Sequence, residues 1–245
     1  MRRTAFVFVT LLCLGSGHVA AGGEAPPAPG APMEFSLPEK TSFVLDNGMH
    51  VTMVPFGQLP KVTMVLRVRT GNLNEGGNTW LADVTGALME EGTKSLDAKA
   101  LNRKAAELGG AVSVNVGSEM TSISISSLSE MEGDAIALLA DVVRNPALPE
   151  GELDRIKADF IRDLSIARVR PGGMAAVAFN ARIYGSHPFA KVFPSEEQLL
   201  GYGIADVQRY YSENFGARRS HLFVSGRFDP AVMRAAVERN FSDWD

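Results

Sequence analysis

Cysteine is almost missing from this chain. The 245 residues hold one, Cys13, and it lies within an N-terminal stretch that reads as a removable export signal. The exported part therefore has no thiol, which excludes disulfides, thiolate catalysis and cysteine-ligated metals together. Histidine is also scarce: beyond the signal only His50, His187 and His221 occur, each isolated, and none stands at ligand spacing from another histidine or glutamate on a helix. His50 falls in an opening hairpin, His187 in a turn and His221 at the start of a late strand, positions that predict packing or a surface hydrogen bond. Positive charge is in deficit as well. The formal net charge is -4, and loss of Arg2 and Arg3 with the signal takes it to -6. No basic stripe supplies phosphate contacts, so a nucleic-acid role is disfavoured. No apolar run approaches the roughly 18 residues that a membrane span requires. A G-x-S-x-G elbow, a G-x-G-x-x-G turn after a strand, a P-loop and a solenoid repeat are all lacking.

What is present begins with Arg2-Arg3, an apolar run from Ala5 to Leu14, and small residues ending at Val19-Ala20-Ala21. This is the layout of a secretory signal peptide, with cleavage expected after Ala21. Leu12 stands before Cys13, where a lipoprotein signal has a small residue, so lipid anchoring is not expected. The protein is thus expected to be exported, periplasmic or secreted. Residues 22–38 carry five prolines among alanines and glycines, a composition for an extended tether. Residues 39–245 are then one folded domain, long enough for a single sizeable core.

Alternation and punctuation outline that domain. Thr41–Asp46 and Met49–Pro55 flank Asn47-Gly48, a hairpin signal. Residues 62–68 alternate as a half-buried strand. After the loop GNLNEGGN, a helix is predicted from a cap at Asn78 or Thr79 to a stop at Gly92. A second helix begins at Ser95 or Asp97 and closes at Gly109-Gly110. AVSVNVG and MTSISISSL follow as two strands joined at Gly117-Ser118-Glu119. Further helices are expected over 129–144, from Pro149 to Pro171, near 173–184, 195–200 and 204–214, and from Asp229 onward, with a strand HLFVSG before the last. The fold class that results is α+β, a mostly antiparallel sheet packed against helices.

The order of these elements and several local sequences resemble the N-terminal domain of the pitrilysin/insulinase metallopeptidase family, which includes the mitochondrial processing peptidases. The matching pieces are FVLDNGMHVTMVP, LMEEGTKSL, LGGAVSVNVGSEMTSISISSL, NPALPEGELDRIKAD, and the run from YGSHPFAKVFP to SHLFVSGRFD, spread from about residue 41 to the C-terminus. The resemblance implies a metallohydrolase-like fold and, in active members, zinc held by H-x-x-E-H on the first helix. Two histidines at i and i+4 share a helix face, and the glutamate between them takes a proton from the zinc-bound water.

Counting back from Gly92-Thr93, which match the Gly-Thr after that motif, the three positions fall on Asp83, Gly86 and Ala87. None supplies the residue the chemistry needs. The family's third ligand, a glutamate on a later helix, falls at or beside Asp163, a remnant carboxylate whose plainer reading is a solvated helix residue next to Arg162. Asp83 has the same plain reading. No metal site, cofactor or catalytic residue is therefore expected, although the family cofactor would be zinc.

The resemblance also implies a second domain of similar fold in relatives, whereas this sequence ends where the first would be complete. The leading expectation is a catalytically inactive domain that partners an active zinc peptidase subunit, or a second half-domain, in peptide processing. The alternatives are a zinc-dependent endopeptidase using ligands outside the motif, and a structural scaffold subunit.

Overall fold

The computed structural model describes residue 30 and residues 36–245. The expected signal peptide and most of the expected tether lie outside the described residues. Leu37–Asp245 form one compact unit.

The opening hairpin pairs β1 (Thr41–Val44) with β2 (His50–Pro55), Val44 opposite His50. Gly48 takes φ +88 in the turn, a conformation that costs a side-chain-bearing residue steric strain. Asn47 contributes more than turn geometry: its Nδ2 donates to the carbonyls of Phe241 and Trp244 at 2.7 and 2.8 Å, fastening the hairpin to the end of the chain.

Strand β3 (Lys61–Val68) alternates as predicted, with Val62, Met64, Leu66 and Val68 buried. The helix after it, α1 (Leu81–Met89), starts later than expected. Neither Asn78 nor Thr79 caps it, because the carboxylate of Glu75 reaches forward to the backbone N–H groups that a cap residue would serve. Helix α2 (Ala98–Glu107) is capped by Asp97, which accepts from Ala100 N at 2.7 Å. Strands β4 (Val112–Val116) and β5 (Thr121–Leu128) form the second hairpin.

Helix α3 (Glu132–Arg144) precedes α4 (Glu150–Val169). Helix α5 (Pro171–Tyr184) starts at Pro171 itself, two residues before the expected start, since proline's fixed φ and missing N–H suit the first helical position. Then come α6 (Glu196–Gly201), α7 (Ile204–Asn214), β6 (Ser220–Gly226) and α8 (Pro230–Phe241). No helix among the described residues is long and apolar enough to cross a membrane.

One six-stranded sheet results, in the order β1-β2-β6-β3-β5-β4. All pairs are antiparallel except β2 with β6. The last strand in sequence is thus inserted between two early ones. One face of the sheet carries Met53, Met64, Leu66, Ile123, Ile125, Leu222 and Val224 into a core completed by Val84 and Leu88 of α1, Ile136 and Leu139 of α3, and Met233 and Phe241 of α8. Each such side chain contributes on the order of 1.5–3 kcal/mol by leaving water. The α+β class with a mostly antiparallel sheet packed against helices is the observed architecture.

Candidate functional site

The loop before α1 and the first turns of that helix carry the densest polar arrangement near the motif positions. Glu75 is buried, and its two carboxylate oxygens accept from Trp80 N at 3.0 Å and Ala82 N at 3.1 Å. Helix starts leave their first N–H groups without intrahelical partners, and Glu75 serves two of them. Burial nevertheless dominates its ionisation and pushes the carboxyl up to about 7 against those stabilising bonds. Tyr210 and Tyr202 hold the loop from the other side, donating to the carbonyls of Gly71 and Thr79 at 3.0 and 2.8 Å.

Trp80 occupies the left-handed region (φ 69, ψ 10), a conformation that costs a bulky residue on the order of 1–3 kcal/mol. Its side chain offsets that strain. The indole ring packs against Phe160 of α4 and edge-on against Phe193, both at 5.9 Å between centroids, and Nε1 donates to the carbonyl of Val192 at 3.1 Å. Beside it, Asn72, Glu75, Trp80, Tyr184, Phe189 and Lys191 line a cavity of about 400 Å³.

Asp83 is half-buried and hydrogen-bonded, not the solvated helix residue that its plain reading expects. Asn72 Nδ2 donates to its Oδ2 at 2.6 Å, and the same amide reaches Glu75 Oε2 at 3.4 Å. Burial raises the Asp83 carboxyl above its ordinary value, and the Asn72 bond only partly opposes this.

Gly86 is buried against β4: a β-carbon there would sit 2.7 Å from Val116 Cγ2 and 3.4 Å from Val114 Cγ1. The space that a catalytic glutamate would need is filled by valine methyls. Ala87 opens on a different cleft, of about 230 Å³, between α1 and α4, and Asp163 lines the same cleft. Asp163 is solvent-exposed, as its plain reading expects. The acids around it are occupied elsewhere. Arg155 pairs with Glu91, with Glu152 at 2.7 Å and with Asp159 at 3.4 Å. Glu90 accepts from Val114 N at 2.8 Å, taking up a backbone donor on the edge strand β4 that would otherwise be open to another strand.

The structure therefore brings Ala87 and Asp163 to one cleft, turns Asp83 toward Asn72, and packs Gly86 against a strand. A hydrolytic zinc of the kind implied by the resemblance does not fit this donor set. It would meet one carboxylate engaged by an amide, one exposed carboxylate, a methyl group and no imidazole, where tetrahedral sites use three good protein ligands. Among the described residues no group of three or more histidines, cysteines, aspartates and glutamates could hold a metal ion.

The histidines stand apart from this region. His187 Nδ1 accepts from Phe189 N at 3.2 Å in a turn, while His50 and His221 are neighbours across β2 and β6, with ring centroids 5.6 Å apart. Sequence reasoning missed Glu75, Asn72 and Trp80. The one available signal was the run of polar and glycine residues GNLNEGGN directly before a helix, since a carboxylate so placed can reach the helix start.

Comparison with known proteins agrees with this architecture. Residues 57–171 match the family model described as Insulinase (Peptidase family M16). An uncharacterised zinc protease of Rickettsia bellii is 22% identical over 200 residues, covering 81% of this chain and 48% of that protein. Bovine cytochrome b-c1 complex subunit 1, mitochondrial, is 26% identical over 212 residues, covering 84% of this chain and 43% of that protein. The solved structure of a peptidase M16 inactive domain from Pseudomonas fluorescens superposes with a TM-score of 0.76 at 23% identity, over 82% of this chain and 50% of that one. The chain spans about half the length of the curated relatives it matches. Family model, element order and shared fold agree: over residues 57–171 the chain is similar to the insulinase family, peptidase family M16, and its fold is that of peptidase M16 domains.

Proposed function

We propose that this chain is a catalytically inactive M16-type domain that acts as the non-catalytic partner of an active, zinc-bearing subunit or half-domain of its own family in peptide processing. The observation that carries this reading is the state of the motif helix: Gly86 is closed off by Val116 and Ala87 offers only a methyl group. A framework kept intact around a site that cannot hold its metal suits a role in enclosing or positioning a substrate rather than cutting it.

A partner is also suggested by the surface of the α4–α5 hairpin. Helix α5 buries no residue, and Val169, Met174, Phe179 and Ile183 are 80%, 56%, 62% and 60% exposed. Apolar side chains exposed at this density along one helical hairpin usually mark an interaction surface. The occupant we assign is a second domain of the same fold, because relatives continue for about as much chain again. Action outside the cytoplasm, in the periplasm or the medium, is part of the proposal and rests on the pattern of residues 1–21.

The test is co-expression with a family member bearing an intact H-x-x-E-H from the same source, followed by co-purification, zinc analysis and peptide cleavage. A stable complex whose cleavage needs both chains, with zinc only in the partner, is the expected result. One zinc per copy of this chain alone, with chelator-sensitive cleavage, would overturn it in favour of a peptidase using other ligands. A second reading, a scaffold subunit with no peptide involved, draws on the bovine relative being a subunit of a larger complex. Stable assemblies that contain no peptidase would favour it.

A further inference from the structure

The face of the sheet turned away from the core gathers positive charge that nothing in the described structure neutralises. Strand register sets His50 of β2 opposite His221 of β6, and His221 opposite Arg67 of β3, in one row across the sheet. Their neighbours in the alternation, Val51, Leu222, Leu66 and Val68, point into the core, so this row points outward. Arg69 follows at the end of β3, and Arg218 and Arg219 enter from the turn before β6. The backbone bond from Arg69 N to the Arg219 carbonyl, at 2.8 Å, joins the two segments.

These residues line a depression of about 360 Å³ together with Ser220 and Phe223. Its floor is aromatic: the Phe223 and His221 rings stack at 4.0 Å between centroids, and the Arg67 guanidinium lies 5.8 Å from the Phe223 ring centre. His221 is fixed by a 2.9 Å hydrogen bond between Nε2 and Thr52 Oγ1.

The charge balance is what sets this depression apart. Ion pairs among the described residues use Arg144, Arg155, Lys157, Arg162, Arg209 and Arg234. Arg67, Arg69, Arg218 and Arg219 form none, although the chain as a whole carries net charge -4. Glu119 lines an adjoining depression with Arg69 and Arg219, yet pairs with neither. Only Arg219 has a side-chain partner, donating from Nη1 to Asn214 Oδ1 at 3.1 Å. Like charges held together without counter-charge repel one another, and they persist where a ligand supplies the missing sign. Guanidinium forks match the oxygens of phosphate and carboxylate groups two at a time.

We infer that this depression binds a small, multiply charged anion bearing phosphate or carboxylate groups, held by Arg67, Arg69, Arg218 and Arg219 over the Phe223–His221 platform. The site lies on the face of the sheet opposite the one on which α1 and its degenerate motif pack.

Calorimetric titration of the purified chain with inorganic pyrophosphate and, separately, citrate at constant ionic strength tests it. Saturable one-to-one binding of at least one anion is expected, weakened by about tenfold or more in the double variant R67Q/R218Q, because two charge-assisted contacts are removed. R103Q, which removes one exposed positive charge from α2, should leave binding unchanged, and thermal unfolding checks that the double variant keeps its fold. Pyrophosphate binding without citrate assigns a phosphate ligand, and the reverse assigns a carboxylate. Absence of saturable binding by either anion, or equal weakening in R103Q and R67Q/R218Q, would overturn the inference.

Discussion

Gly86 on α1 stands directly against Val116 on β4, with only 2.7 Å between the Val116 Cγ2 methyl and the place a β-carbon on residue 86 would take. The glycine lets a helix and an edge strand approach more closely than any other residue would allow. Closing that gap also closes the position from which a catalytic glutamate would act.

A substitution pair measures this contact. Gly86→Ala should destabilise the chain by about 1–2 kcal/mol, because overpacking outweighs the gain of roughly 1 kcal/mol in helix propensity. In a Val116→Ala background the clash is gone, and the same change should be neutral or stabilising. Denaturant midpoints of the four proteins give the coupling directly, and additive effects would mean that the two side chains do not meet.

Glu75 predicts a pH dependence of unusual sign for a carboxylate. Its folded value of about 7 lies above the ordinary 4.5, so the folded chain holds more protons than the unfolded chain between those values. The contribution is fully present below about pH 4.5 and is lost as pH rises through about 7, on the order of 3 kcal/mol. Asp83, Glu90 and Glu132 are shifted in the same direction by burial and add to the slope. Unfolding free energies from pH 5 to 8 should therefore fall. Glu75→Gln should remove much of that fall, and an unchanged slope would show that Glu75 does not titrate there.

Trp80→Phe keeps an aromatic ring against Phe160 and Phe193 but deletes the donor to Val192. The expected cost is about 1 kcal/mol in chemical denaturation. Trp80→Gly tests the backbone separately: glycine relieves the left-handed strain, yet loss of ring packing should make it the more damaging change.

Phe179→Asp and Ile183→Asp alter side chains that are 62% and 60% exposed. Stability should change by less than about 0.5 kcal/mol, since neither residue packs in the core. Co-purification with the active partner should nevertheless be lost. Retention of the complex by both variants would place the interface elsewhere on the domain.

Asn47→Ala removes two donors to the Phe241 and Trp244 carbonyls and should cost about 2–3 kcal/mol, visible as a lowered thermal midpoint. A change below about 0.5 kcal/mol would mean that water replaces the amide at no cost.

Local features were open to reading from sequence alone. The Asn47-Gly48 hairpin, the alternation over 62–68, the Asp97 and Asp229 helix caps and the loss of H-x-x-E-H at Asp83, Gly86 and Ala87 all rest on neighbours within a few residues. The later start of α1 was not, because its cap, Glu75, lies outside the usual cap position and acts through a strained turn at Trp80.

By itself the sequence determined the order of strands and helices, the α+β class and the absence of imidazole at Asp83 and Ala87 and of a carboxylate at Gly86, since periodicity, capping and residue chemistry act along the chain. Only the tertiary structure decided that β6 enters between β2 and β3, that Val116 closes over Gly86, and that arginines from residues 67–69 and 218–219 converge around His50 and His221. Those outcomes depend on which distant segments pair when the core excludes water, a choice that no local pattern encodes.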